Sequence, residues 1–316
     1  MHPPLYLLLP FLGAFIYALG NVFQKRAFHE GAGVMTAFAL NNLVLGLAFL
    51  PMLFWSSDPL PRSLLWQPMV AGAAFFAGSI VGLVALRVGD VSLVTPLLGT
   101  KVILVAAIST LIFHRPLSPG QGLAAGLTTL GVFVMGLTDF HPRRRLGLTT
   151  ALAVLCSFCF AICDTLIQQW AVPFGTGQFV PLLFGTLALL GLGIVAWHGR
   201  ELLRVPAGAW KWLAAASAAT VAQAMLVTFS IALWRDATGV NVVYALRGLW
   251  GLALVWGVGH WFGNTERRDT GSWVMGFRLA GAVLILGAVI LAVLAGSQPR
   301  PVSGLFPALP DTGIRL

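Results

Sequence analysis

Long apolar runs separated by short polar segments occupy nearly the whole chain. A membrane-spanning helix needs about 20 predominantly apolar residues, and ten of the runs approach that length. The pattern therefore predicts ten transmembrane helices, which we number 1 to 10 in chain order: Pro4–Ala27, Gly33–Trp55, Gln67–Leu86, Val91–Phe113, Gly122–Leu137, Leu148–Ala171, Phe179–Trp197, Trp210–Trp234, Gly239–Trp261 and Ser272–Leu294.

A basic segment between the fifth and sixth spans divides the chain into two sets of five. We expect residues 1–138 to form a first five-helix unit, residues 139–147 a basic linker, and residues 148–296 a second unit. Residues 297–316 are rich in proline and are predicted to be a disordered tail.

The two units share residue patterns at nearly constant offsets. Because five is an odd number, the second unit must cross the membrane in the opposite sense to the first. The predicted fold class is an all-α integral membrane protein whose ten transmembrane helices form a 5+5 inverted repeat, a transporter architecture with its substrate site near the midplane. The matched positions are Val91–Gly99 with Val240–Gly248, Gly126 and Gly131 with Gly276 and Gly281, and Asn21–Gln24 with Thr165–Gln168.

Composition supports a membrane protein. Only 9% of the residues are charged and 58% are hydrophobic, whereas about 25% of an ordinary soluble domain is charged. The net charge of +9 comes without a basic stripe that alternates with aromatic residues, so we expect no nucleic-acid partner. The excess of arginine over lysine hints at a bacterial source, and we expect a multi-pass protein of the cell (inner) membrane.

The positive charges also bear on orientation. Eleven of the lysines and arginines fall in loops on one side of the predicted spans and three in loops on the other. The positive-inside rule then places both termini outside the cell.

Two segments resemble a known family. The sequences ALRVGDVSLVTPLLGTKVILVAAISTLIFHRPLS and GLAAGLTTLGVFVMGL are similar to EamA-like transporters of the drug/metabolite transporter superfamily, and the resemblance extends from about Leu5 to Leu294. It implies the ten-helix fold and a transport function. It also implies termini in the cytoplasm, in conflict with the charge count. Residues 23–31 resemble the end of the first helix in small multidrug resistance proteins, but Tyr17 stands where those proteins carry a glutamate.

Ionisable side chains inside the spans are the strongest functional candidates, because such groups usually face a protein interior or a water-filled cavity. Lys101 lies about ten residues from either end of its span, roughly 15 Å, which is too far for its side chain to reach the membrane surface. Arg247 lies on the repeat-related span. We expect both cations to face one central cavity. The alternatives are an ion pair of Lys101 with Asp164, and snorkelling of Arg247.

Asp164 is the only carboxylate well inside a span, and it is predicted to pair with one of the two cations or to carry a proton. Other polar residues within the spans complete the predicted substrate site, although single amides also serve as hydrogen bonds between helices. The predicted substrate-binding set is Tyr17, Asn21, Gln24, Asn41, Lys101, Gln168, Gln223, Tyr244 and Arg247.

The reactive residue types do not indicate catalysis. Cys156, Cys159 and Cys163 lie along one helix face without a histidine, so we expect them to pack and not to bind metal. The six histidines are scattered and no HExxH motif occurs. We therefore predict no enzyme, no catalytic residue, no metal and no cofactor.

The predicted function is a secondary-active transporter that moves a small anionic or zwitterionic metabolite across the cytoplasmic membrane by alternating access. A flippase for a phosphate-bearing lipid is the alternative, since the same cations would hold a phosphate head group. A structural or receptor-like membrane protein is a further alternative. The expected partners are a small-molecule or lipid substrate, membrane lipids and protons as a candidate coupling ion, with the chain as a monomer or homodimer.

Overall fold

The computed structural model describes residues 5–54, 59–88, 94, 97–115, 117–136, 146–199, 204–258 and 272–295. Helices and the turns between them make up these ranges. We label the α-helices in chain order as α1 (Leu8–His29), α2 (Val34–Phe49), α3 (Trp66–Val88), α4 (Lys101–Leu111), α5 (Pro119–Gly136), α6 (Leu146–Trp170), α7 (Gly175–His198), α8 (Trp210–Trp234), α9 (Ala237–Tyr244), α10 (Arg247–Val258) and α11 (Ser272–Ala295). Short 3₁₀ helices at Leu5–Leu7, Leu50–Phe54 and Arg62–Leu64 extend α1, α2 and α3.

Among the described residues, seven helices are long and apolar enough to cross a membrane. They belong to α1, α2, α3, α6, α7, α8 and α11, and they match seven of the ten predicted spans. An α-helix suits this environment because it satisfies all its backbone groups internally where no water is present. The remaining predicted spans, the fourth, fifth and ninth, contain α4, α5 and the pair α9 and α10.

The ninth span was expected to be one continuous helix, and this was wrong. The helix is interrupted at Ala245 and Leu246, where the amide of Leu246 donates to the carbonyl of Val243 at 3.1 Å. This bond between residues three apart tightens the turn, and Arg247 begins a new helix directly after it.

The fourth span shows the same feature. Gly99 and Thr100 form a turn in which the amide of Thr100 donates to the carbonyl of Leu97 at 3.1 Å. The sequence had placed Lys101 near the middle of a helix. In the structure it is instead the first residue of α4. Lys101 and Arg247 thus occupy the same place relative to a tight turn.

The helices pack in four main pairs: α1 along α8, α3 along α6, α2 on α7 and α5 on α11. Small residues allow these close approaches. A methyl group added at Gly72 would lie 2.6 Å from the carbonyl oxygen of Leu183, and one added at Gly131 would lie 2.8 Å from that of Gly281. Glycine at these points lets the backbones of neighbouring helices touch.

The cysteines pack between helices, in agreement with the interpretation of the sequence. A methyl group at Gly82 of α3 would lie 3.0 Å from Cys156 Sγ, and one at Gly78 would lie 3.1 Å from Cys159 Cβ. Cys163 is fully buried. The thiol side chains of α6 therefore fill space against the glycines of α3.

Two of the predicted segments lie wholly or mostly outside the described ranges. The predicted tail, residues 297–316, lies entirely outside them, as do residues 139–145 of the predicted linker. The last two linker residues, Leu146 and Gly147, already belong to α6, so this helix begins two residues earlier than expected.

Candidate functional site

A buried ion pair joins α4 to α6. Lys101 Nζ lies 2.7 Å from Asp164 Oδ2, and the two side chains are only 13% and 10% exposed. The ammonium group also lies 5.8 Å from the centre of the Phe160 ring. Removing either partner would leave a charge without compensation in a medium that solvates it poorly, so each charge requires the other.

The same carboxylate also binds α9. Asn241 Nδ2 donates to Asp164 Oδ2 at 2.7 Å and to the carbonyl of Ala237 at 2.8 Å. One turn further along α6, Gln168 Oε1 accepts from the amide of Ala237 at 2.8 Å. Asp164 and Gln168 therefore point at the same neighbouring helix, as their spacing of four residues predicts.

A second cluster surrounds the guanidinium of Arg247. Its central carbon lies 4.6 Å from the centre of the Tyr244 ring and 5.3 Å from that of Tyr17. The two rings meet edge to face with their centres 5.8 Å apart. Contact with aromatic faces stabilises a cation that has left water, while the N–H groups at the guanidinium edge keep their capacity to donate.

Hydrogen bonding holds this cluster in place. The Tyr244 hydroxyl donates to Gln223 Oε1 at 2.7 Å, which ties the end of α9 to α8. We call Tyr17, Gln223, Tyr244 and Arg247 the tyrosine–arginine cluster. Its members come from α1, α8, α9 and α10, so the helices adjoining the interruption of the ninth span are positioned by side chains from two others.

The ion pair and the tyrosine–arginine cluster are neighbours. Asn241 and Tyr244 are three residues apart on α9 and each contacts one of them. The structure thus brings together six of the ten predicted site residues: Tyr17, Lys101, Asp164, Gln223, Tyr244 and Arg247.

The other four predicted residues have different surroundings. Asn41 accepts a hydrogen bond from Ser217 at 2.6 Å, a contact between α2 and α8, and Gln168 satisfies the first amide of α9. Asn21 is exposed and Gln24 is half-buried, one and two turns beyond Tyr17 on α1. For Asn41 and Gln168, the geometry matches the alternative of hydrogen bonds between helices.

Sequence reasoning missed two parts of this arrangement. Asn241 was not among the candidates, although its position three residues before Tyr244 was a usable signal. Asp236, which lies between the eighth and ninth predicted spans, was not among the candidates either. It accepts from the Tyr6 hydroxyl at 2.5 Å and from the amide of Gly239 at 2.8 Å, and so caps α9. Tyr6 also stacks on Trp234 at 5.3 Å, which fastens the start of the chain to the end of α8.

The charges of the two clusters leave a cationic surplus. Lys101 and Asp164 neutralise each other, and Arg247 makes no ion pair with any carboxylate in the described part of the chain. A guanidinium held by two rings presents a rigid fork of donors, which suits the two oxygens of a carboxylate or a phosphate.

Comparisons with known proteins agree with the sequence interpretation. The family model described as the EamA-like transporter family matches residues 4–137, which confirms the resemblance over that part of the chain and supports a membrane transporter. A solved structure titled "Crystal structure of protein" is similar with a TM-score of 0.69 and 16% sequence identity, over 93% of this chain and 98% of that one. At this identity the likeness shows the fold alone. No curated protein matches the sequence.

Proposed function

We propose that this chain is a secondary-active transporter that moves a small anionic or zwitterionic metabolite across the inner membrane of a bacterium by alternating access. The observation that carries the proposal is the placement of Lys101 and Arg247. Each begins a helix directly after a tight turn; Lys101 pairs with Asp164, and Arg247 lies against Tyr244 on the helix that Asp164 contacts through Asn241. Interrupted helices that carry charged or polar groups are a recurring feature of transporter substrate sites.

The proposal includes a 5+5 inverted repeat, and the helix pairs support it. If spans 1 to 5 are exchanged with spans 6 to 10, the pair α1 with α8 becomes α6 with α3, and both pairs are observed. The pairs α2 with α7 and α5 with α11 each map onto themselves. The contact of Gly131 with Gly281 joins two positions that the sequence comparison had matched to each other.

In this mechanism Arg247 attracts the anionic group and the tyrosine rings hold the guanidinium in a fixed orientation. Lys101 provides the second positive charge when it leaves Asp164, and Asp164 binds an ammonium group of a zwitterion or accepts a proton. Alternating access then requires the tight turns before Lys101 and Arg247 to act as hinges. A 3₁₀ segment within a helix often has that role.

Thermal stabilisation of the purified protein tests the proposal. The panel comprises amino acids, organic phosphates and polyprenyl phosphates. A ligand at 100 times its Kd stabilises the folded protein by about 2.7 kcal/mol, so true ligands raise Tm measurably. We expect one of the small anions or zwitterions to do so, and Arg247→Gln to abolish the shift.

A matched control is Glu30→Gln, which removes a carboxylate from the partly exposed Arg26–Glu30 pair at the end of α1 and should keep the shift. Absence of any ligand, or an equal shift in Arg247→Gln, would refute the proposed site. Stabilisation by polyprenyl phosphates alone would instead favour the flippase. In proteoliposomes, Lys101→Ala and Arg247→Ala should each abolish transport of the stabilising compound.

A further inference from the structure

The ammonium group of Lys101 is already occupied. It lies 2.7 Å from Asp164 Oδ2, and both side chains are largely withdrawn from solvent. An anion that binds Lys101 must therefore displace the carboxylate. This would leave Asp164 as a buried negative charge beside a second negative charge, which is strongly unfavourable unless something neutralises it.

We propose that a proton from solvent neutralises Asp164 when an anionic substrate takes Lys101, so that anion and proton bind together and are carried in the same direction. The inference rests on the proposed function, because it assigns the coupling ion to the same site. In this step an O–H bond forms on Asp164, and the hydrogen bond of the Lys101 ammonium passes to an oxygen of the substrate. No other covalent bond changes, and the proton balances the charge of a monoanion.

The position of Asp164 also explains how binding leads to movement. Its Oδ2 accepts from Lys101 at the start of α4 and from Asn241 on α9. A single oxygen thus joins the two interrupted spans. Once it is protonated and Lys101 has turned to the substrate, the ion pair is lost and the bond from Asn241 no longer has a charged acceptor, whereas Asn241 keeps its bond to the carbonyl of Ala237. At a pH where Asp164 is ionised in the free protein, the link between the fourth and ninth spans is therefore weakest when proton and anion are both bound.

The charged surroundings of Asp164 favour a net uptake of both ions. Along residues 66–85, the helix α3 carries no ionisable side chain, and α8 carries only Lys211 near its start. Lys101 pairs with this carboxylate while Arg247 makes no ion pair in the described part of the chain, so neutralising Asp164 strengthens the attraction of the two cations for an anion. Among the residues that the structure describes, the ionisable groups around Asp164 are Lys101 from α4, which pairs with it, Tyr244 from α9, Arg247 from α10 and Cys163 from its own helix.

Calorimetric binding at a series of pH values tests this coupling, with the monoanions acetate and lactate as probes. If one proton binds with each anion, the Kd of a bound probe falls about tenfold for each unit decrease in pH while Asp164 is ionised in the free protein. The number of protons taken up per bound anion should approach one. It is obtained from the way the measured heat of binding depends on the ionisation enthalpy of the buffer. A Kd independent of pH, with no proton uptake, would overturn the proposal and leave the proposed function standing.

Asp164→Asn removes the proton acceptor while keeping the shape of the side chain. We expect a Kd that does not vary with pH and no proton uptake. Glu30→Gln, the same chemical change at a distant site, should behave as the unmodified protein does. If Asp164→Asn does not fold, Lys101→Gln with Asp164→Asn replaces both charges by amides, leaves neither unpaired and should likewise show no proton uptake.

A measurement without ligand separates failure of this inference from failure of the proposed function. Infrared difference spectra of the unmodified protein on acidification should show a protonated-carboxyl band that Asp164→Asn lacks. If none of the probes binds, the proposed function is in doubt, and the band alone decides whether Asp164 can accept a proton. Absence of a band that depends on Asp164, over the pH range in which the protein stays folded, would overturn the inference.

Discussion

Gly131 and Gly281 bring the backbones of α5 and α11 into direct contact. A methyl group at Gly131 would lie 2.8 Å from the carbonyl oxygen of Gly281, and one at Gly281 would overlap the carbonyl oxygen of Gly131. Backbone atoms cannot move aside as a flexible side chain can. The distance between these two helices is therefore set by the absence of side chains at both positions.

Gly131→Ala should lower the free energy of unfolding by about 1–3 kcal/mol, because the added methyl group overpacks this contact. Gly126→Ala is the control on the same helix, since a methyl group there meets no described heavy atom within 4 Å. It should be neutral or slightly stabilising. Melting of the purified variants measures both, and equal effects at the two positions would contradict the contact.

Asp164→Ala should be strongly destabilising, by about 3–5 kcal/mol, because it leaves the Lys101 ammonium buried without its partner. Replacing both residues with amides, Lys101→Gln and Asp164→Asn, should recover most of that loss. A double-mutant cycle on the melting free energies would quantify the coupling. If the losses of Lys101→Gln and Asp164→Asn measured singly add up to the loss of the double variant, the pair is not energetically coupled.

Tyr17→Leu should reduce stability by about 0.5–2 kcal/mol, since the guanidinium of Arg247 loses one of its two aromatic faces. Tyr17→Phe keeps the ring and should be close to neutral. In the thermal screen, Tyr17→Phe should bind the stabilising ligand as the unmodified protein does, and Tyr17→Leu should bind it more weakly. If Phe is as damaging as Leu, the Tyr17 hydroxyl matters and the ring contact does not explain its role.

Burial raises the pKa of the Asp236 carboxyl above its ordinary value, and the hydrogen bonds from Tyr6 and the Gly239 amide oppose this in part. The folded state then binds more protons than the unfolded state between the ordinary value of about 3.9 and the raised one. Stability contributed by this group is therefore lost as pH rises through that window.

Asp236→Asn should remove the pH-dependent stability that the Asp236 carboxyl group contributes. The melting temperature of this variant should therefore fall less than that of the unmodified protein as pH rises from about 4 toward neutrality. The amide can still cap α9, since asparagine is a favourable capping residue. Glu30→Gln serves as the control and should keep the original pH dependence. Parallel curves for Asp236→Asn and the unmodified protein would contradict the predicted shift.

Much of the helix arrangement could be read from hydropathy. Seven of the predicted spans correspond to described helices long enough to cross a membrane, and their bounds differ from the prediction by a few residues. The fourth and ninth spans were predicted as continuous helices because hydropathy sums over a window and does not detect a tight turn. Ala245 and Leu246 are apolar residues without a helix-breaking signal, so their turn was not visible in the pattern.

The sequence by itself determined that Lys101, Asp164 and Arg247 are ionisable groups within apolar segments, because that depends only on neighbouring residues. Their partners depended on tertiary structure. Asp164 meets Lys101 and Asn241, 63 residues before it and 77 residues after it, only because α6 is rotated so that one carboxylate faces both α4 and α9. The rotation of α6 about its axis is set by glycine contacts and side-chain packing between helices that are far apart in the sequence. Local composition does not encode these contacts. The apolar pattern placed Lys101 at the centre of a helix. In the structure Lys101 is the first residue of α4 and forms an ion pair with Asp164.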